Sequence, residues 1–184
     1  MLGFFSLPRI VPNAVLAALV ALLVAGCGSS DDETERFDEE GYAITFEYPA
    51  ELERTEDVEL SETAGQAEDT LALGLSEDSG IFIQRYRLRQ AVTEENAHQA
   101  RREFDAVLSR LSGLDVTGER IEVGDLTAFR YELDRLETPE NGRSTIIVVL
   151  DGRTEYFLNC QSVPDEREEL EDGCRQMIET LEPR

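Results

Sequence analysis

Three thiols, Cys27, Cys160 and Cys174, carry the most reactive chemistry in this 184-residue sequence. A Ser-His-Asp arrangement would have to use the lone histidine, His98, and no G-x-S-x-G elbow exists to present its nucleophile. The segment Gly74-Leu75-Ser76-Glu77-Asp78 only approaches that motif. Zinc would need ligands that are lacking once the cysteines are otherwise committed. Glycine-rich phosphate loops are absent. With 40 acidic residues, close carboxylate pairs are expected by chance; a glycosidase would use such a pair, usually beside aromatic sugar platforms, and there is no tryptophan. The residue types therefore predict no catalytic set, no metal site and no cofactor.

Cys27 ends the stretch Leu22-Leu23-Val24-Ala25-Gly26-Cys27, which resembles a bacterial lipobox. The resemblance implies that the thiol takes a diacylglycerol and that the chain is cut just before it. Residues 1–26 are then a removed signal peptide. Cys27 becomes the new N-terminus, held to the extracytoplasmic face of the cell membrane by its lipid. The unbroken apolar run Ala14–Val24 fits a signal h-region. It falls well short of the ~20 residues needed to span hydrocarbon. A transmembrane anchor with a chance cysteine, or an ordinary secretory cleavage leaving a free thiol, are the alternatives. At least two acyl chains give stable attachment where one is marginal.

With Cys27 committed to lipid, an even pair of thiols is left. Exported proteins sit where disulfides persist, so Cys160–Cys174 is the expected bridge. A redox role is disfavoured because the spacing is not C-x-x-C.

The charge excludes one class of partner. The formal balance is −23, and removal of residues 1–26 takes away Arg9 and no acid, moving it to −24. Nothing in such a chain would release counterions from phosphates, so no nucleic acid is expected. Repulsion would also hold the domain off anionic lipid rather than flat against it.

The elements that position these residues follow in order. Residues 27–38, the lipidated cysteine and a glycine, serine and acid run, predict a flexible linker. Residues 39–184 predict a single domain. Tyr42, Ile44, Phe46 and Tyr48 alternate before Pro49 and predict a strand, and Val58 and Leu60 suggest a short one. Residues 70–88 read as a hairpin; the exposed face of its second strand would carry Arg85, Arg87 and Arg89. Those three arginines are a candidate partner or anion patch, set against the simpler reading that they pair with acids across strands. A helix is expected from Thr93, with an apolar stripe Ala97, Ala100, Phe104, Val107, Leu108 and Leu111, ending at Gly113 and leaving His98 off the stripe. Four strands follow as a meander, with Gly124-Asp125 and Asp151-Gly152 as turn signals, the latter as a type I′ pair. Ile146–Leu150 is apolar on both faces, so helices are expected to cover both sides of the sheet. A last helix, from about Pro164 to Leu181 and capped by Ser162, would place Cys174 on its buried seam opposite Cys160.

This order of elements, the opening Tyr-x-Ile-x-Phe-x-Tyr-Pro of residues 42–49, the Ile146–Leu150 run and the last strand feeding a terminal helix resemble the PsbP-like superfamily. The likeness is closer to its LpqN-type actinobacterial lipoproteins. It implies an α+β fold, a three-layer α/β/α sandwich with a mainly antiparallel sheet flanked by two helices, serving as a non-catalytic binding or adaptor module. A tryptophan common after the first strand's proline is missing, and no functional residue of the family has a counterpart here. The expected role is a membrane-anchored extracytoplasmic lipoprotein that binds an unidentified protein or envelope partner. The alternative is a carrier of a lipid or other apolar ligand, which needs a cavity of several hundred Å³. A hydrolase ranks third.

Overall fold

A computed structural model of the protein describes residues 33–56, 67–76, 78–136 and 141–184. Cys27, the apolar run before it, the expected strand at Val58 and Leu60, and the segment Thr138-Pro139-Glu140 lie outside the described residues.

The main body is a seven-stranded antiparallel sheet in the order β3-β4-β5-β9-β8-β7-β6. Its strands are β3 (Glu53–Glu56), β4 (Asp69–Gly74), β5 (Gly80–Arg87), β6 (Glu119–Val123), β7 (Leu126–Leu136), β8 (Gly142–Asp151) and β9 (Thr154–Ser162). The hairpin and the meander are joined by β5 and β9, which pair from Gly80↔Gln161 to Arg87↔Thr154. Edge strand β3, Glu-Arg-Thr-Glu, has no apolar residue and so gave no periodic signal. Its charges suit an edge, where they discourage further strand addition.

Two helices, α1 (Ala97–Ser112) and α2 (Arg167–Thr180), cover opposite faces of this sheet. The strand β8 shows why both are needed. Ile147 and Val149 lie in one core with Leu158 and with Leu170 and Met177 of α2. Ile146, Val148 and Leu150 lie in the other with Ala97 and Leu108 of α1. The fold is therefore α+β, with a helix on each face as the apolar run predicts.

The α2 side also holds a second, three-stranded sheet, ordered β1-β2-β10, with β1 (Thr34–Phe37), β2 (Ile44–Pro49) and β10 (Glu182–Pro183). This corrects the linker expectation at residues 34–37, which pair with β2. Phe37 explains the pairing: it is buried, its ring stacks on Phe46 at 4.7 Å, and its carbonyl accepts a 2.6 Å bond from the Thr45 hydroxyl. One apolar residue after a polar run is too little for periodicity to register. The two-residue β10, on the other edge of β2, is shorter still.

Smaller expectations are corrected as well. The first helix begins at Ala97, not Thr93, because the Asn96 side chain closes the preceding turn instead. It accepts from the Thr93 amide at 2.7 Å and donates to the Ala91 carbonyl at 3.0 Å. Gly113 does end that helix, at φ 69°. Ser162 is a buried residue of β9 and caps nothing; Pro164–Glu166 form a 3₁₀ turn that leads into α2. In the β8–β9 hairpin Asp151 pairs with Thr154, so the turn residues are Gly152 and Arg153. Only Gly152 has positive φ, as in the β6–β7 turn only Gly124 does. Positive φ at the first turn residue alone matches a II′ turn and rules out type I′.

Candidate functional site

The expected bridge is present. Cys160 of β9 and Cys174 of α2 are bonded, with Cα atoms 5.9 Å apart. Cys160 is buried and Cys174 packs at the edge of the same core. Alternation along β9 turns Tyr156, Leu158 and Cys160 toward α2, and the helix seam brings Cys174 over them.

The three arginines do not form one patch. Arg85 sits opposite Asp69 in the β4–β5 register. Its guanidinium donates to the Gly41 carbonyl at 2.9 Å, lies near Asp69 and Glu68 at 3.9 and 3.8 Å, and covers the Tyr42 ring at 5.3 Å. It is a strap between β5 and the chain before β2. Burial beside Asp69 pushes the Tyr42 phenol well above its usual range. Arg87 is exposed at the end of β5. Arg89 lies beyond the strand, on the rim of a cleft on the opposite face. His98 is exposed on α1 and stands beside Arg102.

That cleft is the feature sequence reasoning missed. It has a volume of about 460 Å³, within the range of small-ligand sites, roughly 300–1,000 Å³. One wall is the loop after β5, with Leu88 and Val92. The loop is pinned to the start of β9: the Leu88 amide donates to the Arg153 carbonyl and the Val92 amide to the Gly152 carbonyl, both at 2.8 Å. The other wall is α1, through Ala100, Phe104 and Val107. Glu155 of β9 lines the same cleft. It is only 9% exposed. No hydrogen-bond partner for its carboxyl is found among the described residues. Desolvation raises its pKa from 4.5 to about 7. Directly across the β5–β9 ladder is Tyr86, whose buried hydroxyl also lacks a partner among the described residues. Burial, and then the nearby Glu155 charge, push that phenol up to about 12.

Next to the cleft, the apolar surface continues outward. The large hydrophobic side chains that stand exposed among the described residues are Val107, Leu111 and Leu114, at 37%, 47% and 38%. They follow one another along the outer side of α1 and just past its end.

A second depression, also about 460 Å³, lies on the α2 face beside the disulfide. Its charged groups largely satisfy one another: Arg143 with Asp134 at 3.1 Å and Glu171 at 3.3 Å. Among the described residues no three His, Cys, Asp or Glu side chains converge to hold a metal ion. Among the described residues, too, no helix is long and apolar enough to cross a membrane.

A seven-stranded antiparallel sheet between two helices, with a terminal strand added to a small sheet, defines a PsbP-like fold. The cyanobacterial PsbP (CyanoP) of Synechocystis sp. PCC 6803 superposes with a TM-score of 0.53 at 12% identity, over 85% of this chain and 96% of that one. LpqN of Mycobacterium tuberculosis, described as involved in cell envelope biogenesis, aligns at a TM-score of 0.48 and 12% identity, over 83% and 92% of the two chains. The sequence matches no protein-family model and no curated protein.

Proposed function

We propose that this protein is a lipid-anchored, extracytoplasmic, non-catalytic binding module that meets a protein or envelope partner through the surface built on α1. The observation that carries this reading is the apolar stripe Val107, Leu111 and Leu114 standing in solvent beside an apolar cleft. Three exposed apolar side chains at helical spacing beside a cleft, on an otherwise strongly charged protein, suit an interaction site. The location rests on the lipobox-like stretch ending at Cys27 and on the Cys160–Cys174 bridge, which suits an oxidising compartment. A photo-crosslinker placed at Leu111 in intact cells is expected to give one discrete adduct. Val107→Glu should abolish it, and Cys27→Ala should both abolish it and release the protein from the membrane. An adduct pattern indifferent to both substitutions would refute the reading. The cleft itself favours a second role, as carrier of a small apolar ligand, because its volume meets the several hundred Å³ that such a role requires.

A further inference from the structure

The cleft beside α1 combines two properties that constrain its occupant. Its exposed lining is mainly apolar, through Leu88, Val92, Phe104 and Val107, with polar side chains between them. The most buried of those polar side chains is the Glu155 carboxyl, 9% exposed and without a partner among the described residues. Burying an acid without a partner is unfavourable, and such groups are ordinarily paired or hydrogen-bonded. The Tyr86 hydroxyl opposite it does not supply that bond. The carboxyl faces the cleft, and an occupant that excludes water there must itself supply the partner.

We infer that the cleft binds the apolar tail of a small organic cation, with its ammonium head paired to the Glu155 carboxylate. This deepens the carrier reading of the same cleft by fixing the charge of the ligand. A neutral alcohol could donate one hydrogen bond to Glu155, but only a cation also offsets the buried charge. A fatty carboxylate would set like charges against each other. At the rim stand Arg89 and Glu103, one of each sign, so they do not reverse this preference. The surplus of 40 acids over 17 arginines concentrates cations around the molecule as a whole.

Calorimetric titration of the full chain carrying Cys27→Ser, in detergent-free buffer at about pH 8, would use decylamine, decanol and decanoate. One decylamine is expected per protein, bound on the order of tenfold more tightly than decanol, with decanoate weakest. Glu155→Gln should bring decylamine down to the decanol level. Ala100→Trp, which fills the cleft, should abolish binding of all three. Between pH 8 and pH 6 the decylamine affinity should fall roughly tenfold, because Glu155 titrates near 7. Tyr86 and Tyr131, the phenols whose titration feels Glu155, both stay neutral in that interval, so Glu155 sets the change. Decylamine binding no better than decanol, or a preference that survives Glu155→Gln, overturns the inference while leaving the carrier reading standing. Failure of all three probes overturns both.

Discussion

At the scale of single residues, Glu155 departs most from what its neighbours would lead one to expect. It occupies a strand between Thr154 and Tyr156, on a face shared with Phe157, and it is buried there. Its folded pKa lies near 7 against an ordinary 4.5. The folded state therefore binds this proton more tightly than the unfolded chain. The associated stability is fully present below pH 4.5 and is lost as pH rises toward and past 7. Burial of a charge on this scale corresponds to about 3 kcal/mol. Urea unfolding of the wild type and of Glu155→Gln at about pH 5 and pH 8 isolates the effect from the general acidic background, which both share. The variant is expected to gain on the wild type at the higher pH by up to that amount. Equal pH slopes for the two proteins would show that the carboxylate is solvated. Arg85 makes the opposite point: an arginine in an alternating series ends up strapping Gly41, Tyr42 and Asp69 together, so its type alone was no guide to a binding role.

At the scale of elements, the disulfide ties β9 to α2 across a sequence separation of 14 residues. For a loop of that length the chain-entropy model gives about 3 kcal/mol. Replacing both Cys160 and Cys174 by alanine is expected to lower the urea midpoint by a corresponding amount while leaving the native far-ultraviolet spectrum intact. An unchanged midpoint would mean that helix packing alone fixes α2. Elements with several periods of clear alternation were legible in the sequence: the 70–88 hairpin, the four-strand meander, both helices and the buried run of β8. Those that are short or polar were not. Phe37 is a lone apolar residue, Glu53–Glu56 has none, and Glu182–Pro183 is two residues long. The cleft was hidden for a related reason. On β9 Tyr156, Leu158 and Cys160 lie in the core on the α2 side, and nothing in the residue type of Glu155 on the alternate face marks it as buried. The clue was one strand away: a two-sided apolar β8 demands cover on both faces, and its neighbour β9 shares that cover.

At the scale of the whole molecule, charge dominates. Forty acids face 17 arginines, and among the described residues the ion pairs are largely exposed, such as Arg36 with Glu182 and Arg120 with Glu94. Exposed pairs each contribute about 0–1 kcal/mol, and salt weakens them. Salt also screens the repulsion among the surplus acids, which outnumber the pairs. The second effect should prevail. The thermal midpoint is expected to rise between about 20 mM and 500 mM sodium chloride, and a midpoint that falls would assign more stability to the pairs than exposed groups ordinarily supply.

The small sheet has a consequence in time. Its middle strand, β2, is held on one edge by residues 34–37 and on the other by residues 182–183, and the Arg184 amide reaches the Ala43 carbonyl at 2.9 Å. One edge of β2 is taken by a near neighbour in sequence and the other by a distant segment. The central ladder is likewise non-local, because β5 must find β9 across about half of the domain. Contacts so distant in sequence fold slowly, since loop closure precedes any gain from pairing. The small sheet is therefore complete only when two segments far apart in sequence, at Thr45 and at Glu182, have met.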